Sequence, residues 1–209
     1  MPKPGSQREM LDLIIDLLRH GEVEGGHCFR GRTDDLLTDQ GWLQMSHAVE
    51  MNPTWREIIS SPAKRCARFA KQLAENQQIP CHPAEWLWEM DFGDWEGATA
   101  AELAETDADR LNAFWQDPVN QTPPNGEPFQ QFQQRVLDGW SALIQQSTEH
   151  ILLITHGGPI RIILAEVLGM PPQNLMRLEV AHASLSRVRI STDPVGKIYG
   201  SLVELNRVP

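Results

Sequence analysis

The stretch Leu17-Leu18-Arg19-His20-Gly21-Glu22 joins an apolar run to a polar turn, and the rest of the chain is interpreted from it. The run before the turn, residues 11–18, is rich in Leu and Ile and too short to cross a membrane, so it predicts a buried strand. In an open parallel sheet, ligands bind outside the carboxyl ends of the strands. A cation, an imidazole and a glycine at that place suit an anion and indicate phosphate chemistry.

Size and charge limit the kinds of partner. The chain has 209 residues, 41% hydrophobic and 22% charged, which favours one globular domain spanning residues 1–209. Its net charge of −10 disfavours a broad nucleic-acid-binding face, so any phosphate must be held by a local cluster of cations. No apolar run is long enough to span a membrane. We expect a small phosphorylated substrate and neither a nucleic-acid nor a membrane partner.

The amino-terminal segment and the cysteines bear on localisation. Residues 1–10 are polar, and the apolar run after them lacks a small-residue cleavage site, so we expect no signal peptide. The cysteines Cys28, Cys66 and Cys81 form no CxxC pair, which argues against a disulfide framework or a zinc site. These observations favour a cytoplasmic protein.

Two later segments repeat the pattern of the opening stretch. Residues 58–62 predict a short strand whose Ser-Pro end starts a helix to about residue 76, with Arg65 in its first turn. Residues 151–155 predict the clearest strand of the chain, and His156-Gly157-Gly158 follow it directly. Because the carboxyl ends of parallel strands meet at one edge of a sheet, the side chains that follow these strands should lie close together.

The remaining segments complete an α/β pattern. Further helices are predicted at residues 38–51, 129–146 and 159–168, the last one ending at Gly169. Further strands are predicted near residues 80–83 and at 184–190 and 198–205, with a turn at 193–196 between the last two. Strands that alternate with helices predict a three-layer α/β/α fold with a mostly parallel central sheet.

A small helical insertion is predicted at about residues 97–128. Residues 86–97, just before it, alternate aromatic side chains with carboxylates and glycines, which indicates an ordered loop. Thr99 and Glu102 form a capping box that opens helical structure to about residue 117. Three prolines in residues 118–128 then predict a loop.

His20 is the candidate nucleophile. Like His156, it follows a predicted strand and precedes a glycine, a placement that an ordinary surface histidine rarely has. A neutral imidazole nitrogen can attack phosphorus, and nearby cations lower its pKa and neutralise the phosphoryl oxygens. Arg19, Arg65 and His156 are the candidates for that second role.

The leaving alkoxide needs a proton, which a carboxylic acid can supply before it acts as a base toward water. Glu89, between Trp88 and Met90, has the most apolar sequence context of any acid in the chain and is the candidate. Glu22 and Glu96 compete with it. Glu89 could instead be a structural carboxylate that holds arginines in place.

Other phosphate chemistries lack their motifs. Asp34 and Gln72 stand where a cysteine phosphatase would need arginine after Cys28 and Cys66. There is no glycine-rich loop ending in Gly-Lys-Ser/Thr, and no histidine pair has helical ligand spacing, so neither a P-loop nor a catalytic metal is predicted. Asp107 and Asp109 fall in a predicted helix rather than at a strand end, which disfavours a paired-aspartate phosphatase.

Taken together, these blocks resemble the histidine phosphatase superfamily, also called the phosphoglycerate mutase-like family. The similar segments are residues 19–22, 31–38, 60–65, 87–97, 126–127 and 156–161. The resemblance implies a phosphohistidine on His20, phosphate bound by Arg19, Arg65 and His156, Glu89 as proton donor, and neither a metal nor a cofactor. Residues 87–97 are most similar to the small phosphatase branch, which includes the α-ribazole phosphatases of cobalamin synthesis.

Some positions depart from the family pattern. Val23 replaces the usual hydroxyl residue and Gly26 an asparagine, so two phosphate donors of the pattern are missing. Arg30 stands where a neutral residue is common, and we expect it to substitute as a donor or to select a second acidic group on the substrate. Gly31, beside it, would let the backbone approach the substrate closely.

The leading hypothesis is a metal-independent phosphomonoesterase acting on a small phosphorylated metabolite, with α-ribazole 5′-phosphate as one candidate. The alternatives are a phosphoglycerate-mutase-type transfer and a non-catalytic phosphate-binding protein. A mutase must grip a carboxylate, yet Arg110 is the only cation of the insertion. The tryptophans of residues 86–97 fit a dimer surface or a pocket lid equally well. The sequence leaves open a homodimer, the natural substrate and the roles of Cys28 and His182.

Overall fold

The computed structural model describes residues 12–50, 54–147, 149–193 and 197–208. In these ranges one sheet has six strands in the order β3-β2-β4-β1-β5-β6. The strands are β1 Asp12–Arg19, β2 Glu57–Ser60, β3 Cys81–Pro83, β4 Ile151–Thr155, β5 Leu185–Thr192 and β6 Ile198–Arg207. The first four pair in parallel, while β5 and β6 add antiparallel pairs at one side. The predicted, mostly parallel sheet is confirmed.

Helices connect the strands. The α-helices are α1 Asp39–Val49, α2 Lys64–Gln77, α3 Ala100–Thr106, α4 Ala108–Gln116, α5 Phe129–Gln146 and α6 Gly157–Leu168. Short 3-10 helices lie at Glu85–Leu87, Gly93–Trp95 and Pro172–Arg177. Gly169 ends α6 in the left-handed conformation with φ 60°, as its predicted role as a helix stop requires. None of the described helices has the length and apolar character needed to cross a membrane.

The helices cover both faces of the sheet. Because side chains alternate along a strand, Ile15 and Leu17 of β1 pack in the core with α5 and α6, whereas Leu18 packs with α1 and α2. Strand β4 divides its side chains in the same way, with Leu153 in the first core and Leu152 in the second. The predicted three-layer α/β/α architecture is confirmed.

The insertion packs against the preceding loops through a small, mainly aromatic core. Trp95, Leu103 and Leu111 are buried together, and Phe29 and Phe92 pack against them. Thr99 forms the predicted capping box with Glu102. The helical structure is interrupted at Asp107, whose φ of −146° and ψ of 42° separate α3 from α4. The division into one domain with an insertion at residues 97–128 stays a prediction.

Several predicted boundaries differ from the structure. The Ser-Pro start of the second helix is wrong, because α2 begins at Lys64 after Ala63, which makes no side-chain cap. The Ser61 hydroxyl oxygen accepts from the Ala63 amide at 3.3 Å and also from Nε2 of His156 at 2.8 Å. Helix α6 begins at Gly157, two residues earlier than predicted. The predictions for residues 1–10, for the strand and helix ends at residues 11 and 51, and for most of the 193–196 turn lie outside the described residues.

Candidate active site

Three parallel strands deliver the site residues to one edge of the sheet. Arg19 of β1 pairs with Thr155 of β4, and the His20 amide donates to the Thr155 carbonyl oxygen at 2.9 Å. The Ser61 amide, just past β2, donates to the Ile154 carbonyl oxygen at 2.9 Å. Because these strands end side by side, the side chains that follow them converge. The structure therefore brings together Arg19, His20, Arg65 and His156, as the pattern of strand ends predicts.

The His20 ring is buried, with 6% of its surface exposed, and its protonation follows from one hydrogen bond. Nδ1 lies 2.8 Å from the Gly21 carbonyl oxygen, which can only accept, so Nδ1 carries the proton and Nε2 keeps its lone pair. Burial, followed by the charges of Arg19 and Arg65, lowers the pKa of His20 well below 6.5. The ring is therefore neutral at pH 7.

Arg19 has one buried nitrogen without a hydrogen-bond partner among the described residues. Its Nη1 donates to the Val180 carbonyl oxygen at 2.6 Å, and its Nη2 lies 3.0 Å from Nε2 of His182. Its Nε is buried and makes no hydrogen bond to any described residue. Burial lowers the pKa of Arg19 to about 10, which still leaves a full positive charge at neutral pH. A buried cation with an unused N–H is suited to an anion.

His182 is a site residue that sequence reasoning left undecided. Its ring centroid lies 5.5 Å from that of His20, and its Nε2 must accept from Arg19 because a guanidinium only donates. Burial and the charge of Arg19 lower the pKa of His182 to about 4. His182 precedes β5, which is antiparallel and so begins at the edge where β1 ends. Its position just before that strand was the signal that could have placed it here.

Arg65 is fully buried and ties the second strand end to the loop that follows β1. Its Nη1 donates to the Thr33 carbonyl oxygen at 2.6 Å and its Nη2 to that of Gly31 at 2.8 Å. Its Nε donates to Nδ1 of His156 at 3.3 Å. Burial lowers the pKa of Arg65. Each of its nitrogens is thus held in place by the fold.

His156 shares that network. Since Nδ1 accepts from Arg65, Nε2 carries the proton and donates to the Ser61 hydroxyl oxygen at 2.8 Å. Its ring meets His20 edge to face, with 5.2 Å between centroids. Burial, then the charge of Arg65, lowers the pKa of His156 well below 6.5. Two neutral imidazoles therefore lie beside two guanidinium groups.

Glu96 holds the loop that Arg65 contacts. Its carboxylate accepts 2.9 Å hydrogen bonds from the backbone amides of Gly31, Arg32 and Thr33. Burial raises the pKa of Glu96, but hydrogen bonds from the Thr33 hydroxyl and from the amides of Thr33, Arg32 and Phe92 outweigh it and leave the pKa lowered. The carboxylate is thus a structural anchor. Glu22, the other competing acid, is exposed and accepts from the Thr38 hydroxyl at 3.3 Å.

Two backbone amides hold the Glu89 carboxylate at the site. Its Oε2 accepts from the Gly158 amide at 3.0 Å, in the first turn of α6, and its Oε1 accepts from the Met90 amide at 3.0 Å. A Cβ atom on Gly158 would lie 2.0 Å from Oε1, so this position needs glycine. Arg135 Nη2 donates to the Glu89 backbone carbonyl oxygen at 3.2 Å, while no arginine of the described ranges hydrogen bonds to the Glu89 carboxylate, and the alternative of a structural carboxylate stays open. Arg135 supports the loop by donating to the Trp88 carbonyl oxygen at 2.9 Å.

A cavity of about 350 Å³ joins these groups. Its lining includes Arg19, His20, Cys28, Arg30, Glu89 and His182. Arg65 and His156 are fully buried and are not part of this lining. The nucleophile candidate, a cation with a free donor and the acid candidate therefore face a common space, which is the arrangement that phosphoryl transfer needs.

Arg30 and Gly31 are both engaged by the protein itself. Arg30 Nε donates to Asp35 at 2.7 Å, while Nη1 and Nη2 donate to the carbonyl oxygens of Gly26 and Glu24 at 3.2 and 2.9 Å. A Cβ atom on Gly31 would lie 1.9 Å from the Met90 carbonyl oxygen, so close packing requires this glycine. Their predicted contacts with substrate stay predictions.

Among the residues that the structure describes, no three His, Cys, Asp or Glu side chains cluster so as to hold a metal ion. The expectations of a site without metal and without cofactor stay predictions.

Comparison with known proteins places the chain in a family. The model of the histidine phosphatase superfamily (branch 1) matches residues 15–196. The chain belongs to this superfamily. The adenosylcobalamin/α-ribazole phosphatase of Salmonella typhimurium is 30% identical to it over 184 residues, which cover 83% of this chain and 89% of that protein. The resemblance inferred from the sequence is thereby confirmed.

Solved structures agree with this assignment. The α-ribazole phosphatase from Shigella flexneri is 28% identical with a TM-score of 0.81, covering 93% of this histidine phosphatase and 96% of that chain. A mycobacterial glucosyl-3-phosphoglycerate phosphatase, 23% identical with a TM-score of 0.82 over 94% and 99% of the two chains, shares the fold. This histidine phosphatase is an enzyme that hydrolyses phosphate esters.

Proposed function

We propose that the chain is a phosphomonoesterase that works through a phosphohistidine on His20. The observation that carries this proposal is the unprotonated Nε2 of His20. The proton of the ring is on Nδ1, which donates to the Gly21 carbonyl oxygen at 2.8 Å, so the lone pair of Nε2 is available. A lone pair in a cluster of buried cations is an activated nucleophile for an anionic phosphoryl group. An electron pair of Nε2 would form the new P–N bond as the ester P–O bond breaks.

Positive charge around His20 supports this step. The free Nε–H of Arg19 can donate to a phosphoryl oxygen, and Arg65 adds a second charge at short range. Helix α6 starts directly after His156, so its amino-terminal dipole also favours negative charge there. These groups are held by the fold before substrate arrives, which is the condition under which they stabilise a transition state most. Because His156 donates to Ser61, we propose that it mainly orients Arg65 and turns to the phosphate once substrate binds.

Glu89 is our candidate for proton transfer. In its acid form it would donate a proton to the leaving alkoxide, and the resulting carboxylate would then take a proton from water as the water oxygen attacks phosphorus. The second step breaks the P–N bond, releases inorganic phosphate and restores neutral His20. The Glu89 carboxylate and His20 line the same cavity, which supports this pairing of acid and nucleophile.

For the substrate, we propose a small phosphorylated metabolite, with α-ribazole 5′-phosphate as the first compound to test. The relatives named for this activity, at 28 to 30% identity over most of the chain, support that choice. A mutase reaction has less support, because Arg110 is 69% exposed, pairs with Asp107 at 3.7 Å and does not line the cavity that holds His20.

The function is tested by phosphate release in excess chelator. The native chain is incubated with p-nitrophenyl phosphate, α-ribazole 5′-phosphate and 3-phosphoglycerate, next to a His20→Asn variant. We expect release that chelator does not stop and that the variant lacks. Release that needs an added metal, or that survives in the variant, would contradict the proposed mechanism.

Trapping the intermediate separates the alternatives. Rapid quenching with labelled ester should give a labelled protein whose phosphoryl bond is stable to alkali and labile to acid, as expected of phosphohistidine. Label that moves between phosphoglycerates without release would favour the mutase. Binding of phosphate with neither label nor release would favour the non-catalytic alternative.

A further inference from the structure

A second cavity, of about 370 Å³, opens beside the phosphate cavity and is walled mainly by apolar side chains. Its walls include Phe114, Trp115, Phe129, Phe132, Leu175 and Met176. Glu89 and Arg161 are the only charged residues in its lining among those that the structure describes. A concave, mostly aromatic site with few polar groups is typical of a small-molecule pocket. We call it the apolar cavity.

The apolar cavity is continuous with the site through shared walls. Phe29, Glu89 and Phe92 line both cavities, so the Glu89 carboxylate lies at the boundary between them. An acid that protonates a leaving oxygen must lie beside that oxygen. With the phosphoryl group on the His20 side of the boundary, the alcohol that departs lies on the other side. The body of the alcohol then extends into the apolar cavity.

Arg161 supplies a polar anchor there. Its Nε donates to the Leu178 carbonyl oxygen at 3.0 Å, while Nη1 and Nη2 donate to no acceptor within the described ranges. Its Nη1 lies next to Gly157 at the start of α6, where an added Cβ atom would be 2.8 Å from it. A half-buried guanidinium with unused donors is suited to a carbonyl or carboxylate oxygen on a ligand.

We infer that the apolar cavity is the leaving-group site, and that it takes an alcohol with a flat aromatic or similarly large apolar body that carries a hydrogen-bond acceptor for Arg161. This inference rests on the proposed function. Trp115 and Met176 determine specificity, because they line the cavity yet are 55% and 70% exposed until a ligand covers them. A polyol would leave these aromatic walls in contact with water and gain little from them.

The apolar preference is tested with two esters of primary alcohols, so that the leaving groups are chemically similar. We expect the native chain to have a higher kcat/KM for naphthylmethyl phosphate than for glycerol 1-phosphate. Trp115→Ala and Met176→Ala should each reduce that ratio about tenfold, since lost apolar contacts in a pocket change discrimination by about this much. Leu168→Ala is the matched control, because Leu168 is 45% exposed and lines neither cavity.

An unchanged ratio in both variants, or a native preference for glycerol 1-phosphate, would overturn the inference. The control variant should keep the native ratio. If no ester at all is hydrolysed, the proposed function fails. If both esters are hydrolysed with equal kcat/KM, the proposed function stands and the leaving-group site does not.

The role of Arg161 is tested with 4-carboxybenzyl phosphate and benzyl phosphate. The native chain should prefer the carboxylated ester, and Arg161→Met should lower that preference about tenfold or more, because the variant loses a charged hydrogen bond. Arg161→Lys, which keeps the charge, should restore part of the preference. Equal changes for both esters in both variants would show that Arg161 has only a structural role.

Discussion

Two buried polar clusters begin on the same strand and differ in how completely they are paired. Asp16 of β1 is 0% exposed and accepts from Trp55 at 2.7 Å, His150 at 2.9 Å and Arg187 at 2.7 and 2.9 Å. Three residues later, Arg19 keeps a buried Nε without a partner among the described residues. The acceptor of the first cluster is satisfied by the protein alone, whereas the second keeps a donor for the anion that the proposed function requires. We therefore expect the Asp16 cluster to contribute mainly to stability and the cluster around Arg19 mainly to function.

The largest expected effect is on turnover. His20→Ala should reduce kcat by about 10⁴-fold or more, because a covalent nucleophile is lost. The free energy of unfolding of His20→Ala should differ from that of the native chain much less than it does for a variant in the Asp16 cluster. His150→Ala is the opposite control, since it removes one donor to Asp16 and should lower stability while the folded fraction keeps its kcat. Steady-state kinetics measures kcat, and urea unfolding measures the free energy of unfolding. Full activity in His20→Ala would contradict the role of His20 as the nucleophile.

Asp16→Ala should lower the free energy of unfolding by about 3 to 5 kcal/mol, because it leaves a buried donor set without its acceptor. Asp12→Ala is the matched control on the same strand. Asp12 is exposed and lies 3.6 Å from Arg189, so its loss should cost at most about 1 kcal/mol. Urea unfolding of the two variants measures the contrast. Similar losses would mean that the Asp16 cluster contributes no more than a surface ion pair.

Glu89→Gln should slow the hydrolysis of alkyl phosphates by about 10² to 10³-fold, because general acid catalysis is lost. The loss on p-nitrophenyl phosphate should be smaller, since that leaving group needs less help from a proton. Glu96→Gln is the control, because Glu96 anchors the loop at Gly31 and should affect both ester types alike. Equal loss on both esters in Glu89→Gln would remove Glu89 from the acid role.

The smallest effect concerns the pH dependence of stability. His182 has a pKa of about 4 in the folded chain, so between pH 6.5 and 4 the unfolded chain binds a proton that the folded chain does not. Stability is therefore lost as the pH falls through this window, and His182→Asn should reduce the slope there. Asn keeps an acceptor for Arg19. Urea unfolding at pH 7.5 and pH 5 tests this, and an unchanged slope would contradict it.

Asp16 has the same sign as His182 but a lower pH window. Burial raises the pKa of Asp16, but the bonds from Arg187, His150 and Trp55 outweigh it, and the folded pKa lies below 3.8. Its contribution is complete above the unfolded pKa and is lost only as the pH falls through the folded one. Between pH 6.5 and 4, the change of the free energy of unfolding with pH is thus expected to come from the site, through His182, and not from the Asp16 cluster.

Local sequence was sufficient where a side chain follows a buried strand. Arg19, His20 and His156 could be placed at one sheet edge because parallel strands end together, and the run of apolar residues before each is visible in the chain itself. The long helix α5 and the stop at Gly169 likewise depend on short-range periodicity and backbone conformation, which the sequence shows directly.

Long-range contacts explain the predictions that failed or were not made. Ser61 accepts from the Ala63 amide as a helix cap would, but it also accepts from His156, distant in the chain, and α2 begins only at Lys64. His182 reaches the site only because β5 runs antiparallel to β1. Glu96 resembled a catalytic acid until the fold placed three backbone amides around it.

The sequence by itself determined the fold class, the sheet edge that carries the site and the residues that gather there, because strand periodicity and strand ends are local properties. Only the tertiary structure decided which nitrogen of His20 is free, which donor of Arg19 is unused, and that an apolar cavity adjoins Glu89. These features depend on groups brought together from opposite ends of the chain. Their geometry is set by packing, which no local pattern encodes.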